Sequence, residues 1–429
     1  MPSSGRGARH VFIVAIGNFS SPLVALLTAP LLAQALGAAG RGEVAAATAP
    51  LMLLAAALTM GFPEAVTHLV ARASGVHISR VVVLVALVLF LGGLGTGLVW
   101  ICAPGLAAGD SVLTELIRLC SLALAPALVI GVVRGVARGL QKWNLVVTDQ
   151  VLASTFKLVA LAALVITDDL TPLTAAVTLS SSLLVGALAY MPLLWARRSP
   201  GSHLSIRGTV AFGLAVWPGA IAGVVLSRLD QLLIIPLSSA AVLGVYAVAV
   251  SLSDAARMFN AAVRDIMFAR QSARVDDQAL AIAARISTLI TLLIAIIVTL
   301  LSIPLSVPIF GPQFSQVPLV LGILMFGAVI GNPGSVLGSG LAARGRPLLR
   351  SVAMLAGIGV NVGMLIALVP NLGAVGAAIA AALANALTGQ LVAFMAGRVL
   401  RLRAREMLIP TSADVQLTLR LVIALLKRR

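Results

Sequence analysis

The chain has 429 residues, of which 60% are hydrophobic and only 10% charged, with a mean hydropathy of +1.09. Soluble domains carry about 25% charged residues, so this composition excludes a soluble globular enzyme and points to an all-α polytopic membrane protein. A net charge of +16 would suggest nucleic acid in a soluble chain; here it reads as topology, because cytoplasmic loops collect Arg and Lys, and no nucleic-acid partner is expected.

The opening stretch MPSSGRGARH leads straight into an apolar segment with no small-residue cleavage site, which predicts a retained first span. A helix rises 1.5 Å per residue, so roughly 20 apolar residues cross the bilayer core. Stretches of about that length or longer recur twelve times. They fall near 11–36, 43–71, 80–103, 112–139, 144–166, 172–196, 208–236, 241–268, 281–310, 316–342, 349–369 and 373–397. The connecting loops are too short to be domains. The tail 401–429 ends in VQLTLRLVIALLKRR, too short and too basic for a thirteenth span, and it reads as an amphipathic helix on the inner leaflet. Cys102 and Cys120 lie near the ends of adjacent spans, where two packed thiols and a disulfide are both geometrically open.

Charge alternates along the loops. One face collects 26 of the 30 basic residues, among them Arg134, Arg138, Lys142, Arg257, Arg264, Arg285, Arg344 and Arg350. The opposite loops hold GRGE, GDSVLTE, TDDLTP and FGPQFSQ, with Arg41 as their main base. The positive-inside rule then places both termini in the cytoplasm, and an odd span count would break the alternation.

A repeat underlies the twelve spans. ALGAAGRGEVAAATA (35–49) aligns with LSSAAVLGVYAVAVS (237–251) at an offset of 202, which matches Gly42 to Gly244. The same offset lays TPLTAAVT (171–178) on GAVGAAIA (373–380), and VARG (136–139) matches AARG (342–345) at 206. These alignments predict two six-span lobes, 1–200 and 207–400, joined within 197–208. Because six is even, the repeats are parallel, related by an axis along the membrane normal.

No phosphate-binding loop, metal cluster or nucleophile elbow is present, so neither enzymatic chemistry nor a cofactor is expected. His10, His68, His77 and His203 all fall toward the basic face and read as solvated loop residues. What remains is the set of charges inside spans: Glu64, Arg118, Asp149, Lys157, Arg228, Asp230 and Asp254. A charge at mid-bilayer costs from about 2.5 kcal/mol upward, so such groups face a bundle interior or a water-filled cavity. A packing role stands beside the functional one for each. Arg228 and Asp230 lie about 200° apart on a helix and cannot both point at one spot. Asp149 and Arg118 also suit interfacial positions, whereas Lys157 and Asp254 are deep.

Four stretches carry a family resemblance: 31–72 with GFPEA before a basic loop, RLDQLLIIPLSSAAVLGVYAVAVSLSD (228–254), SGLAARGRP (339–347) and PNLGAVGAAIAAALANAL (370–387). Their order and spacing resemble the Wzx-like oligosaccharide flippases, the polysaccharide branch of the multidrug/oligosaccharidyl-lipid/polysaccharide exporter superfamily. The resemblance implies two six-helix bundles around a central cavity that opens alternately to either face. It also implies a lipid-linked glycan as substrate, carried by a polyprenyl diphosphate from the inner to the outer leaflet of a bacterial plasma membrane. Arg228 and Lys157 match positions where the family often carries cavity bases; with Arg118 they are the expected substrate-binding residues. Asp230, Asp254, Glu64 and Asp149 are the expected groups for charge pairing or for a coupling ion, a proton or sodium. Membrane lipids and glycan assembly enzymes are the implied partners. One departure stands out: LSSAAVLG occupies the turn where the family usually shows Gly-Pro. A drug/cation antiporter would want a carboxylate-rich cavity, a lipid II flippase usually has two extra spans, and an intramembrane glycosyltransferase or polymerase needs a large external loop that is absent here.

Overall fold

The computed structural model describes residues 4–73, 78–193, 206–273, 275–400, 404–408 and, in the tail, 411, 414 and 416. The expected lobe linker falls almost entirely outside these residues, as do His77, His203 and most of the tail. Among the described residues there is no β-strand. Fourteen α-helices follow in order: α1 Ser4–Leu58, α2 Phe62–Ala73, α3 Ile78–Leu106, α4 Ser111–Ser121, α5 Leu124–Gly139, α6 Trp143–Ile166 and α7 Pro172–Ala187, then α8 Ile206–Leu237, α9 Ala240–Ala256, α10 Met258–Ala273, α11 Asp277–Phe310, α12 Val317–Ala343, α13 Pro347–Leu400 and α14 Ala404–Leu408.

Among the described residues eight helical stretches are long and apolar enough to cross a membrane, nine when the pair α9–α10, bent by 43°, is taken as one span. A helix of 54 or 55 residues would reach about 80 Å, far beyond a bilayer core. α1 and α13 are each two helices joined at a non-helical glycine, Gly37 (φ 66°) and Gly373 (φ 55°). Divided there, and with the 32-residue α8 included, the helices fall on the twelve segments read from hydropathy. Several spans are broken in ways hydropathy does not show. Span 2 passes from α1 to α2 through Met60 and Gly61, both at positive φ, and span 4 is interrupted at Leu122–Ala123 between α4 and α5.

The repeat-related turns use different chemistry. Where the first half turns at Gly37, the second ends α8 at Leu237 and starts α9 after Ser239, whose Oγ accepts from Val242 N at 3.4 Å. Where the second half turns at Gly373, the first uses Thr171 and Thr174, each side chain taking the other's backbone N–H.

The chain divides into two compact units, Met1–Ala247 and Val248–Arg429. In the first, Phe62, Val66, Val70, Leu84, Val88, Leu128, Val132 and Val136 from α2, α3 and α5 form a buried cluster. Close approaches of backbone hold the rest. The Trp217 indole donates to the Ala57 carbonyl at 2.7 Å, just before the break in span 2, and a side chain at Gly61 would run into the Gly213 carbonyl. Repeat-related Gly42 and Gly244 meet in a reciprocal crossing. A Cβ at Gly42 would overlap the Ala240 carbonyl oxygen, and one at Gly244 would overlap the Ala38 carbonyl oxygen. Ala38 and Ala240 are themselves 202 residues apart, so both sides of the contact obey the repeat offset.

In the second unit, α10–α13 bury Met267, Leu280, Ala284, Val336, Leu337, Leu341, Val392 and Ala396, and Met407 of α14 joins this cluster. The start of the tail is therefore part of the unit's core. Beyond α14, Arg285 Nε donates to Asp414 at 2.7 Å, and Thr411 and Asp414 cap one another. Burial alone would raise the Asp414 carboxyl, but its bonds from Arg285 and Thr411 outweigh it and bring the pKa down to about 2.

Candidate functional site

The intramembrane charges separate into bonded and open groups. Asp149 on α6 is buried, at 2% relative exposure. It accepts two bonds from Arg134 of α5, at 2.9 and 2.6 Å, and one from the Tyr190 hydroxyl at 2.8 Å. Gly186 makes the room, because a Cβ there would lie 2.5 Å from Asp149 Oδ1. Asp230 on α8 is equally buried; it accepts from the Gln231 backbone N–H at 2.8 Å and from the Tyr246 hydroxyl on α9. The chain contains only two tyrosines, and each sits on one of these two carboxylates. A phenol brings a donor into an apolar interior without a second charge, which offsets the desolvation of the acid.

Asp149 is therefore a buried packing group, six residues into α6. Its replacement by Ala would leave Arg134 half-buried without its carboxylate. Loss of one partner of such a pair costs about 3–5 kcal/mol. We expect Asp149→Ala to lower the melting temperature and membrane abundance sharply, and the joint change Arg134→Met with Asp149→Leu to recover most of both, as read by a fluorescence melt.

Arg118 lies in the last turn of α4. It pairs with Glu115 at 2.7 Å and sits over the Trp100 ring, 5.7 Å from its centre. Glu64 is exposed in the first turn of α2, where a carboxylate suits the helix dipole. Asp254 pairs with Arg257 at 2.9 Å across the α9–α10 bend, both side chains one-third exposed.

Lys157 differs from these. The lipid-facing stripe of α6 holds Val151, Thr155, Val159 and Ile166, all exposed, while Val146, Asp149, Ser154 and Leu161 are buried. Lys157 falls on the buried stripe, one turn from Ser154 and from Leu161. Among the described residues none hydrogen-bonds or pairs with its ammonium. It stands nine residues before the end of α6, about 13 Å. Arg228, half-buried, likewise stands nine residues before the end of its helix, α8.

Other groups went unmarked in the sequence. Arg41, counted above as a loop base, is half-buried with its Nε shielded and unbonded. In the second unit, Asn332 donates to Ser287 and Thr288, both at 3.1 Å, with its own oxygen unbonded. Fully buried Asn361 has no bond to either amide atom among the described residues. Cys102 and Cys120 are both free thiols, exposed and buried respectively.

Residues 8–268, more than half of the chain, match the family model described as polysaccharide biosynthesis protein. The chain belongs to this family. No curated protein sequence matches it. Among solved structures it is similar to an inward-facing multidrug resistance MATE transporter of the MOP superfamily, at 15% identity and a TM-score of 0.70, covering 90% of this chain and 94% of that one. It is similar also to the lipid II flippase MurJ in an inward closed conformation, at 14% identity and a TM-score of 0.70, covering 96% and 93%. The MATE multidrug transporter DinF-BH, in complex with R6G, follows at 14% identity and 0.64, covering 93% and 95%. At these identities the likeness establishes the fold. A multi-pass membrane protein of the polysaccharide biosynthesis family, with the fold of these transporters, is what family and fold together show.

Proposed function

We propose that this transporter flips a polyprenyl-diphosphate-linked oligosaccharide from the cytoplasmic to the outer leaflet of a bacterial plasma membrane by alternating access, with both termini in the cytoplasm and Lys157 and Arg228 gripping the anionic head. The carrying observation is the asymmetry of the buried charges. The buried carboxylates Asp149 and Asp230 are taken up by Arg134, Tyr190 and Tyr246, while the Lys157 ammonium has no bond among the described residues. A cation exporter would need the reverse. Membership in the polysaccharide biosynthesis family supports a glycan cargo. Lipid II, itself a diphosphate-linked glycan, is a second reading favoured by the likeness to its flippase. A proton or sodium gradient would drive export, and glycan assembly enzymes would supply the cargo.

The test is Arg228→Ala, assayed by the lipid-linked glycan accumulating in cell extracts. Guanidinium grips phosphate through two parallel hydrogen bonds, so Arg228→Lys should export in part and Arg228→Ala not at all, both at normal abundance. Full export by Arg228→Ala would refute the role.

A further inference from the structure

On the basic face of the unit Val248–Arg429, two arginines from different helices converge on α12. Arg264 of α10 donates to the Ser335 hydroxyl at 3.3 Å. Arg350 of α13 lays its stem across Gly338, where a Cβ would lie 3.4 Å from its Cδ. Ser335 and Gly338 are three residues apart, on neighbouring turns of one helix face. The two guanidiniums therefore lie close enough to repel each other.

Three other half-buried arginines of this unit are neutralised by contact, Arg344 by Asp277 at 2.6 Å, Arg285 by Asp414 at 2.7 Å and Arg257 by Asp254 at 2.9 Å. Among the described residues no carboxylate bonds Arg264 or Arg350. Asp265, next along the helix from Arg264, is exposed. The place is also reachable. Every residue from Gly331 to Leu341 is buried except Ser335. Arg350 lies three residues into α13, about 5 Å from the helix start, which is head-group depth in a bilayer.

We propose that Arg264, Arg350 and Ser335 form a binding site for a phosphate-ester head group. Two forked cations and a hydroxyl match the several oxygens of a phosphate, and an anion between them removes their mutual repulsion. Basic pockets between membrane helices on this side take lipid head groups. The phosphate comes either from an anionic lipid of the surrounding leaflet or from the diphosphate of a polyprenyl-linked cargo. The inference does not depend on export: phosphate bound here without glycan transport would leave the site standing and defeat only the transport reading.

The experiment uses the full chain in phosphatidylcholine nanodiscs, titrated with phosphatidylglycerol or with farnesyl diphosphate, with retention read by native mass spectrometry. Wild type should bind at least one probe saturably. Arg264→Gln and Arg350→Gln should each weaken that binding about tenfold or more, the loss of a charge-assisted hydrogen bond. Arginine-dependent binding of phosphatidylglycerol assigns the site to a bilayer lipid; dependence confined to farnesyl diphosphate assigns it to the cargo. Equal binding by wild type and by a double Gln variant that melts normally overturns the proposal. If the Gln variants melt early, Arg264→Lys and Arg350→Lys carry the test. They keep the charge and lose the fork, so unchanged affinity for both probes overturns it too.

Discussion

Lys157→Met should stop glycan export while leaving the protein in the membrane at normal or raised abundance. An ammonium held on the inner stripe of α6 with no bonded carboxylate among the described residues is a cost to the fold, and methionine removes it while keeping the length of the side chain. If the ammonium binds the diphosphate, its removal takes away a charge-assisted contact in a low-dielectric place and export should fall at least about a hundredfold. A packing role gives the opposite pattern, with abundance lost and specific export per molecule retained. Lys157→Arg separates the two further: it keeps the charge and should retain measurable export. Quantitative blotting beside surface glycan measurement reads both quantities, and wild-type export by Lys157→Met would end the assignment.

Gly244→Val should be among the most damaging single changes in the apolar core of the first unit. The valine Cβ would occupy the space of the Ala38 carbonyl oxygen, and backbone cannot rotate aside as a side chain can. Overpacking costs about 1–3 kcal/mol in general, and a backbone neighbour puts this site at the upper end. Gly42→Val strikes the same crossing from the other side, through Ala240. Once either substitution has pushed the helices apart, the other meets little further resistance. The double variant should therefore melt close to the worse single one, whereas two independent contacts would add. Additive losses would show that the glycines act separately.

The twelve apolar segments were readable because a bilayer demands length and hydrophobicity, and both are local properties of sequence. The breaks at Met60–Gly61, Leu122–Ala123 and Arg257 were not, because apolar residues are as common in a bent span as in a straight one. Lys157 was marked by depth, and its place on the buried stripe follows from helical period. The Asp149 partners were hidden for a different reason. Arg134 and Tyr190 come from separate elements, 15 and 41 residues away, so only tertiary packing brings them together. A usable signal was nonetheless present, since a chain with only two tyrosines spends both on intramembrane acids. Arg264 and Arg350 were counted with the loop charges because a topology rule asks which face holds a base, not whether it turns inward.

The glycine crossing has a further meaning. Residue 42 meets residue 240, and residue 244 meets residue 38, so exchanging the two halves of the repeat returns the same contact. That is the isologous form of an interface between identical subunits, in which each patch is its own complement. The flanking turns differ, glycine at Gly37 on one side and serine at Ser239 on the other, while the crossing admits no such change: a bulky residue on either side is met by backbone that no compensating substitution can shorten.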